Sequence, residues 1–168
     1  MPYPCYMTIK GRTQGLISAG AMGEASMGSK WQKDHEDKIM VQAFNHGLSV
    51  PTGKSAGHRM HKPFVITKAF DKSSPLLRMA LCDGEVLSLC RLEFYRTSAN
   101  GNQEHFYTVE FKKAVVVGVD IIMPHCQDSQ FEQFTQLEKI SFSYQEILWK
   151  HETARTIGSD EWQGAVFD

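Results

Sequence analysis

One stretch, His61 to Gly84, constrains the fold more than any other, because a strand there runs directly into a helix signalled at both ends. Phe64, Ile66 and Lys68 alternate with Val65, Thr67 and Ala69, a two-residue period that puts the two sets on opposite sides of a strand starting after Pro63. Ser74 offers an N-cap oxygen, Pro75 takes the first helical position, where a missing N–H costs nothing, and Gly84 supplies a left-handed stop. Between these signals Leu76, Leu77, Ala80 and Leu81 form an apolar stripe at helical spacing, over about residues 74–83. A helix of about three turns is unstable alone in water, so this stripe must pack on a sheet.

The rest of the chain reads mostly as strands. Cys5, Met7 and Ile9 alternate with Tyr6, Thr8 and Lys10 in a first strand that ends at Gly11. Gly15 to Lys30, rich in Gly, Ala and Ser, has no period and reads as a loop or short edge strand. A long strand is expected from Lys38 to Val50, with a change of parity at Ala43 and Phe44 that marks a bulge or a strand serving two surfaces. Pro51 to Met60 is polar and should project as a hairpin loop. Val86 to Arg96 alternates, Ser98 to Asn102 is a turn, and His105 to Met123 reads as sheet, with Lys112 and Lys113 marking a bulge or turn. Met123 to Lys139 is a connection with Phe131 and Phe134 as anchors, and Ile140 to Trp149 is a closing strand. The tail from Lys150 is too short to fold alone, and its Trp162, Val166 and Phe167 are expected to pack onto the barrel or a neighbour. Many strands at hairpin spacing with one helix predict a mainly β fold, a β-barrel or two-sheet sandwich with one short flanking α-helix. Its strand edges need a cover, for which an oligomer suffices.

A chain of 168 residues fits one domain able to bury a core without staples. The formal net charge of -1 gives no support to a nucleic-acid footprint or a polybasic membrane surface. The start, MPYPCYMTIKGR, shows no secretory leader, and no apolar run is long enough to cross a bilayer, so the expectation is a cytoplasmic protein. Cys5, Cys82, Cys90 and Cys126 lack CxxC spacing and read as reduced, mostly buried thiols.

Candidate chemistry is thin. Gly53, Lys54 and Ser55 resemble the end of a phosphate-binding loop, but its first glycine should stand where Leu48 is, and Gly47 is one residue out. His58, His61 and His125 beside Cys126 invite zinc without fixing a third ligand, so the expectation is no metal and no cofactor. No G-x-S-x-G elbow occurs, and carboxylates such as Glu110 and Asp120 lack an evident partner, so no catalytic residue is assigned. Trp31, Trp149 and Trp162 are read as packing residues rather than stacking platforms. The alternative to a structural role is a cupin-like or small-ligand-binding β-barrel with a histidine-based site from His58, His61 or His125.

Several segments together carry a more specific signal: CYMTIKG followed by Thr13-Gln14-Gly15-Leu16-Ile17, Val50-Pro51-Thr52 leading to GHRMHKPF, the helix entry Ser74-Pro75-Leu76-Leu77, Tyr95-Arg96-Thr97-Ser98, MPHCQD from Met123, and Gly158-Ser159-Asp160. In this order, over essentially the whole chain, they resemble the haemolysin-coregulated protein family, the tube proteins of the bacterial type VI secretion system. The resemblance implies a two-sheet β-barrel with a flanking helix, no enzymatic activity, and homohexameric rings that stack into a tube. It further implies a contractile sheath around that tube, a spike protein at its tip, effector proteins in its lumen, and export from the cytoplasm without a cleaved signal peptide. Rings of this kind close head to tail. The polar loop, with Thr52, Gly53, Lys54, Ser55, Gly57, His58, Arg59 and His61, is then the candidate for contacts between stacked rings, although it is shorter here than in many relatives. A chain ending at Asp168 is expected to lack the C-terminal toxin domain that extends some members.

Overall fold

The computed structural model describes residues 3–53 and 58–162. In chain order the strands are β1 (Cys5–Gly11), β2 (Gly15–Leu16), β3 (Ile39–Val41), β4 (Ala43–Asn45), β5 (Leu48–Ser49), β6 (Met60–His61) and β7 (Phe64–Ala69). After the main helix come β8 (Leu87–Thr97), β9 (Gln103–Lys112), β10 (Val115–Ile122), β11 (Leu137–Ser143), β12 (Glu146–His151) and β13 (Thr156–Glu161). The helices are a single turn, α1 (Glu24–Met27), and the flanking α2 (Ser74–Asp83).

The strands form a seven-stranded sheet in the order β13-β12-β9-β8-β1-β2, with β3 also on β1, a four-stranded sheet β10-β11-β7-β4, and a two-stranded arm of β5 and β6. Neither large sheet closes on itself, so the architecture is a sandwich whose sheets keep open edges. Every strand pair is antiparallel. The two faces meet through one apolar cluster. Phe111 of the larger sheet lies with its ring centroid 5.0 Å from Phe64, 5.6 Å from Phe142 and 5.4 Å from Tyr144.

Two expectations need correction for one cause, a chain that changes sheet. The long strand from Lys38 is three short ones in three different sheets, because the chain passes from the seven-stranded sheet to the four-stranded one at Gln42, whose N–H bonds the Thr67 carbonyl at 2.9 Å. The closing strand from Ile140 is two, β11 and β12, which belong to opposite sheets and join at Tyr144 and Gln145. The expected bulge or turn at the two lysines is a third such crossing, with Lys113 at φ 50° between β9 and β10. The tail carries β13, which adds an edge strand beyond β12 after a turn in which Arg155 takes a left-handed φ of 60°; Val166 and Phe167 lie outside the described residues.

The segment after β2 contains α1 and buries Ile17, Ala21 and Met22 against the core, more than a loop or edge strand would. Phe131 and Phe134 do not anchor their connection; both are largely exposed and pack on each other at 5.8 Å.

The flanking helix stands where expected. Leu77 and Ala80 are fully buried, Leu76 and Leu81 pack at the margin of the core, and Gly84 closes the helix at φ 64°. Its start differs by one residue. Ser73 is the N-cap position, and Ser74 is taken into a buried polar cluster. Lys68, at the end of the core-facing row of β7, is fully buried and paired with Glu138 of β11. The Lys68 ammonium also lies 3.0 Å from both the Asp71 carboxylate and the Ser74 hydroxyl, which donates to Glu138 at 2.6 Å. Arg78 reaches the other Glu138 oxygen at 2.8 Å. Two cations and two anions thus bolt α2 to the four-stranded sheet.

Removing one partner from a buried ion cluster strands the others. Glu138→Ala should lower the unfolding free energy by about 3–5 kcal/mol. Lys150→Ala, which breaks only the outer pair with Glu152, should change it by about 0–1 kcal/mol. Urea titration of both variants checks the contrast, and a similar cost for the two would contradict it.

Candidate functional site

The most distinctive feature outside the core is the arm. Leu48 pairs with His61 and Ser49 with Met60, and the Lys62 N–H bonds the Gly47 carbonyl at 2.9 Å, so the two strands leave the sandwich together. Thr52, Gly53, His58 and Arg59 are exposed, as are the arm's apolar residues Leu48, Val50 and Met60. Lys54, Ser55 and Gly57 lie outside the described residues.

The foot of the arm is held by a chain of polar contacts that crosses three elements. His46 Nε2 and His61 Nδ1 each lie 2.7 Å from the Tyr144 hydroxyl, at the corner between β11 and β12. His61 Nε2 lies 2.8 Å from Asp160 of β13, and Arg59 donates from Nε to the same carboxylate oxygen at 2.5 Å and from Nη2 to the Glu161 carbonyl at 2.9 Å. Trp162 stacks on the His61 ring, with centroids 5.1 Å apart.

The proton positions follow from what each group can do. An ionised Asp160 only accepts, so His61 donates from Nε2; a neutral His61 then accepts the Tyr144 proton at Nδ1, and Tyr144 accepts from His46 Nε2–H. Burial, aided by the neighbouring His61, holds the His46 pKa down at about 4. The Arg59 hydrogen bond, opposed by burial and helped by His61, keeps the Asp160 carboxyl below its ordinary value. Burial and then the Asp160 charge push the Tyr144 hydroxyl up.

Two expected ring-contact residues are therefore committed inside the chain. His61 is buried with both ring nitrogens engaged, and Arg59 is tied to β13. The histidine-based pocket does not form: His58 and His125 are exposed, Phe64, Phe111, Phe142 and Tyr144 fill the space between the sheets, and among the described residues no three His, Cys, Asp or Glu side chains are placed to hold a metal ion. Cys5 and Cys90 are buried, Cys82 and Cys126 exposed, and all four are free thiols. Trp149 packs against the core, whereas Trp31 is exposed.

Sequence reasoning missed His46, Tyr144 and Asp160, which lie far apart in the chain. It also missed which edges stay open. β10 carries exposed Val117, Ile121 and Ile122 along one edge of the four-stranded sheet, and β4, with Ala43, Phe44 and Asn45 all exposed, forms the other. Beside β4 runs a groove of about 510 Å³ lined by Tyr3, Pro4, Met40, Phe44 and Phe94.

The fold and site define a filled two-sheet β-sandwich with apolar open edges and a clamped arm. The model of the family described as "Type VI secretion system effector, Hcp" matches residues 6–151. The chain is 48% identical over 170 residues to the major exported protein of Pseudomonas aeruginosa, covering 99% of each. A crystal structure of an Hcp protein superposes with a TM-score of 0.91 at 42% identity, over 96% of this chain and 99% of that one. The secreted protein Hcp3 from Pseudomonas aeruginosa does so at 0.84 and 46%, over 95% and 100%. The chain belongs to the Hcp family of the type VI secretion system, a family of secreted structural proteins and not of enzymes.

Tyr144→Phe removes the shared hydroxyl and leaves two imidazole nitrogens without a partner, a loss of about 1–3 kcal/mol by thermal or urea unfolding. Because its folded pKa is depressed, Asp160 contributes stability above its unfolded pKa and loses it as pH falls through the lower folded value. Asp160→Asn should accordingly flatten the acid limb of the stability–pH curve below about pH 4. An unchanged limb would remove Asp160 from the clamp's energetics.

Proposed function

We propose that the chain, as one folded domain, closes head to tail into a homohexameric ring, and that rings stack into the inner tube of the type VI apparatus. A contractile sheath surrounds that tube, a spike protein caps it, and effector proteins travel in its lumen. The observation that carries this reading is the pair of unlike open edges on one four-stranded sheet. An open apolar edge invites strand pairing and must be covered. An isologous dimer would join like to like and leave the other edge bare, whereas apposing β10 of one copy to β4 of the next covers both in a cycle. Phe44 and the groove beside it offer apolar surface to Val117, Ile121 and Ile122 of the adjoining copy.

The arm is the candidate for contact between rings, through Thr52, Gly53, Lys54, Ser55, Gly57 and His58, with Arg59 and His61 fixing its foot instead of touching the neighbour. Leu48, Val50 and Met60 give it apolar surface that needs a partner. Family membership and the near-complete match to an exported relative support export by the apparatus itself after synthesis in the cytoplasm. Among the described residues no helix is long and apolar enough to cross a membrane.

Native mass spectrometry of the purified chain should give a hexamer. Phe44→Asp and Ile121→Asp, each at an exposed position, should leave the circular dichroism spectrum unchanged and drive the mass to monomer. Arg59→Glu should leave hexamers intact and weaken tube formation under assembly conditions. A monomeric wild type, or hexamers that survive both edge charges, would overturn the edge-to-edge ring.

A further inference from the structure

The chain of contacts under the arm seats His46 where no anion meets it. With both histidines neutral, hydrogen bonds run in one direction, from His46 through Tyr144 and His61 to Asp160, and every donor meets an acceptor. We propose that this His46–Tyr144–His61–Asp160 chain is a pH-responsive latch, which holds the β5–β6 arm against β13 at neutral pH and releases it as His46 takes up a proton.

A second proton on His46 leaves its bond to Tyr144 in place but puts a charge in a site that burial disfavours. The groups facing His46 are His61 from β6, the Tyr144 hydroxyl from the β11–β12 corner and the ring of Phe64 from β7, at 5.0 Å; none is an anion at neutral pH. Lys62 lies along Gly47 next to it and adds positive charge to the foot of the arm. His61 faces Tyr144, Trp162 and Asp160, and Arg59 already shares the Asp160 carboxylate. Protonation of His46 therefore weighs on the arm's attachment, and the Arg59–Asp160 contact is largely exposed on the arginine side.

The size of the effect follows from linkage. His46 takes a proton near pH 4 while the arm is seated and near the ordinary histidine value of about 6.5 once lifted. Between these values the lifted arm binds more protons, so lowering the pH from 7.5 to 5.0 should raise its opening about 30-fold. If the arm joins rings, acid would loosen the stack. The latch itself does not rest on the ring reading, since the arm and its clamp belong to one chain.

Hydrogen–deuterium exchange on the full chain tests this. Amides of residues 47–53 and 58–62 are followed at pH 7.5 and 5.0, each rate divided by its intrinsic value at that pH and referred to the core amides of β8 and β9. The wild type should show the roughly 30-fold rise in arm opening, and His46→Phe and His46→Gln, which cannot take the proton, should show a much smaller one. An arm equally protected at both pH values overturns the proposal. So does a rise in both variants as large as in the wild type, which places its cause elsewhere and is distinguishable from a failure of the ring, since the ring is read separately by mass.

Discussion

The structure depends on one aromatic layer. Phe64, Phe142 and Tyr144 pack against Phe111 across the gap between two sheets, and a single chain must supply both sides of that contact. It does so by changing sheets at Gln42, at Lys113 and at Tyr144–Gln145. Strands that turn the corner between two packed sheets let neighbouring stretches of sequence face the same core. Because the chain leaves each sheet before closing it, β10 and β4 are left as open edges. The open edges thus follow from how the core is filled.

Polar chemistry fixes what the apolar layer cannot. Apolar packing is non-directional, and the helix α2 or the arm could slide on it at little cost. The Lys68, Glu138, Asp71 and Arg78 cluster sets the position of α2 on the four-stranded sheet. The histidine–tyrosine–aspartate chain does the same for the arm on β13. At the end of β1, Gly11 lies so close to Glu85 that an added Cβ would sit 2.8 Å from its carboxylate, which accepts the Thr13 and Gln14 N–H groups and shapes the turn into β2.

Local signals made much of this legible in the sequence. The Pro75 and Gly84 signals bound α2 correctly, alternation located β1, β7 and β8, and the break in parity at Ala43 marked a corner, although a parity break alone does not say whether a strand bulges or changes sheet. β13 went unread because Thr156–Glu161 carries little apolar pattern: it is an edge strand, mostly exposed, held by pairing to β12. The clamp was illegible for another reason. His46, His61, Tyr144 and Asp160 are brought together by pairing between distant strands, and an isolated loop histidine has no signature of burial. Lys68 misleads in the same way, since its ion partner Glu138 lies seventy positions away.

With an unpaired edge on each side of one sheet, a filled interior and a clamped arm, the ring proposed above makes the chain a unit completed by copies of itself. The most direct measurement of that claim is amide exchange in β4 and β10 as a function of protein concentration. If neighbouring copies cover both edges, the amides of Ala43–Asn45 and Val115–Ile122 become protected together as concentration rises, while those of β8 stay unchanged. Edge amides that exchange equally fast at every concentration would show that these strands meet only water, and would contradict the account.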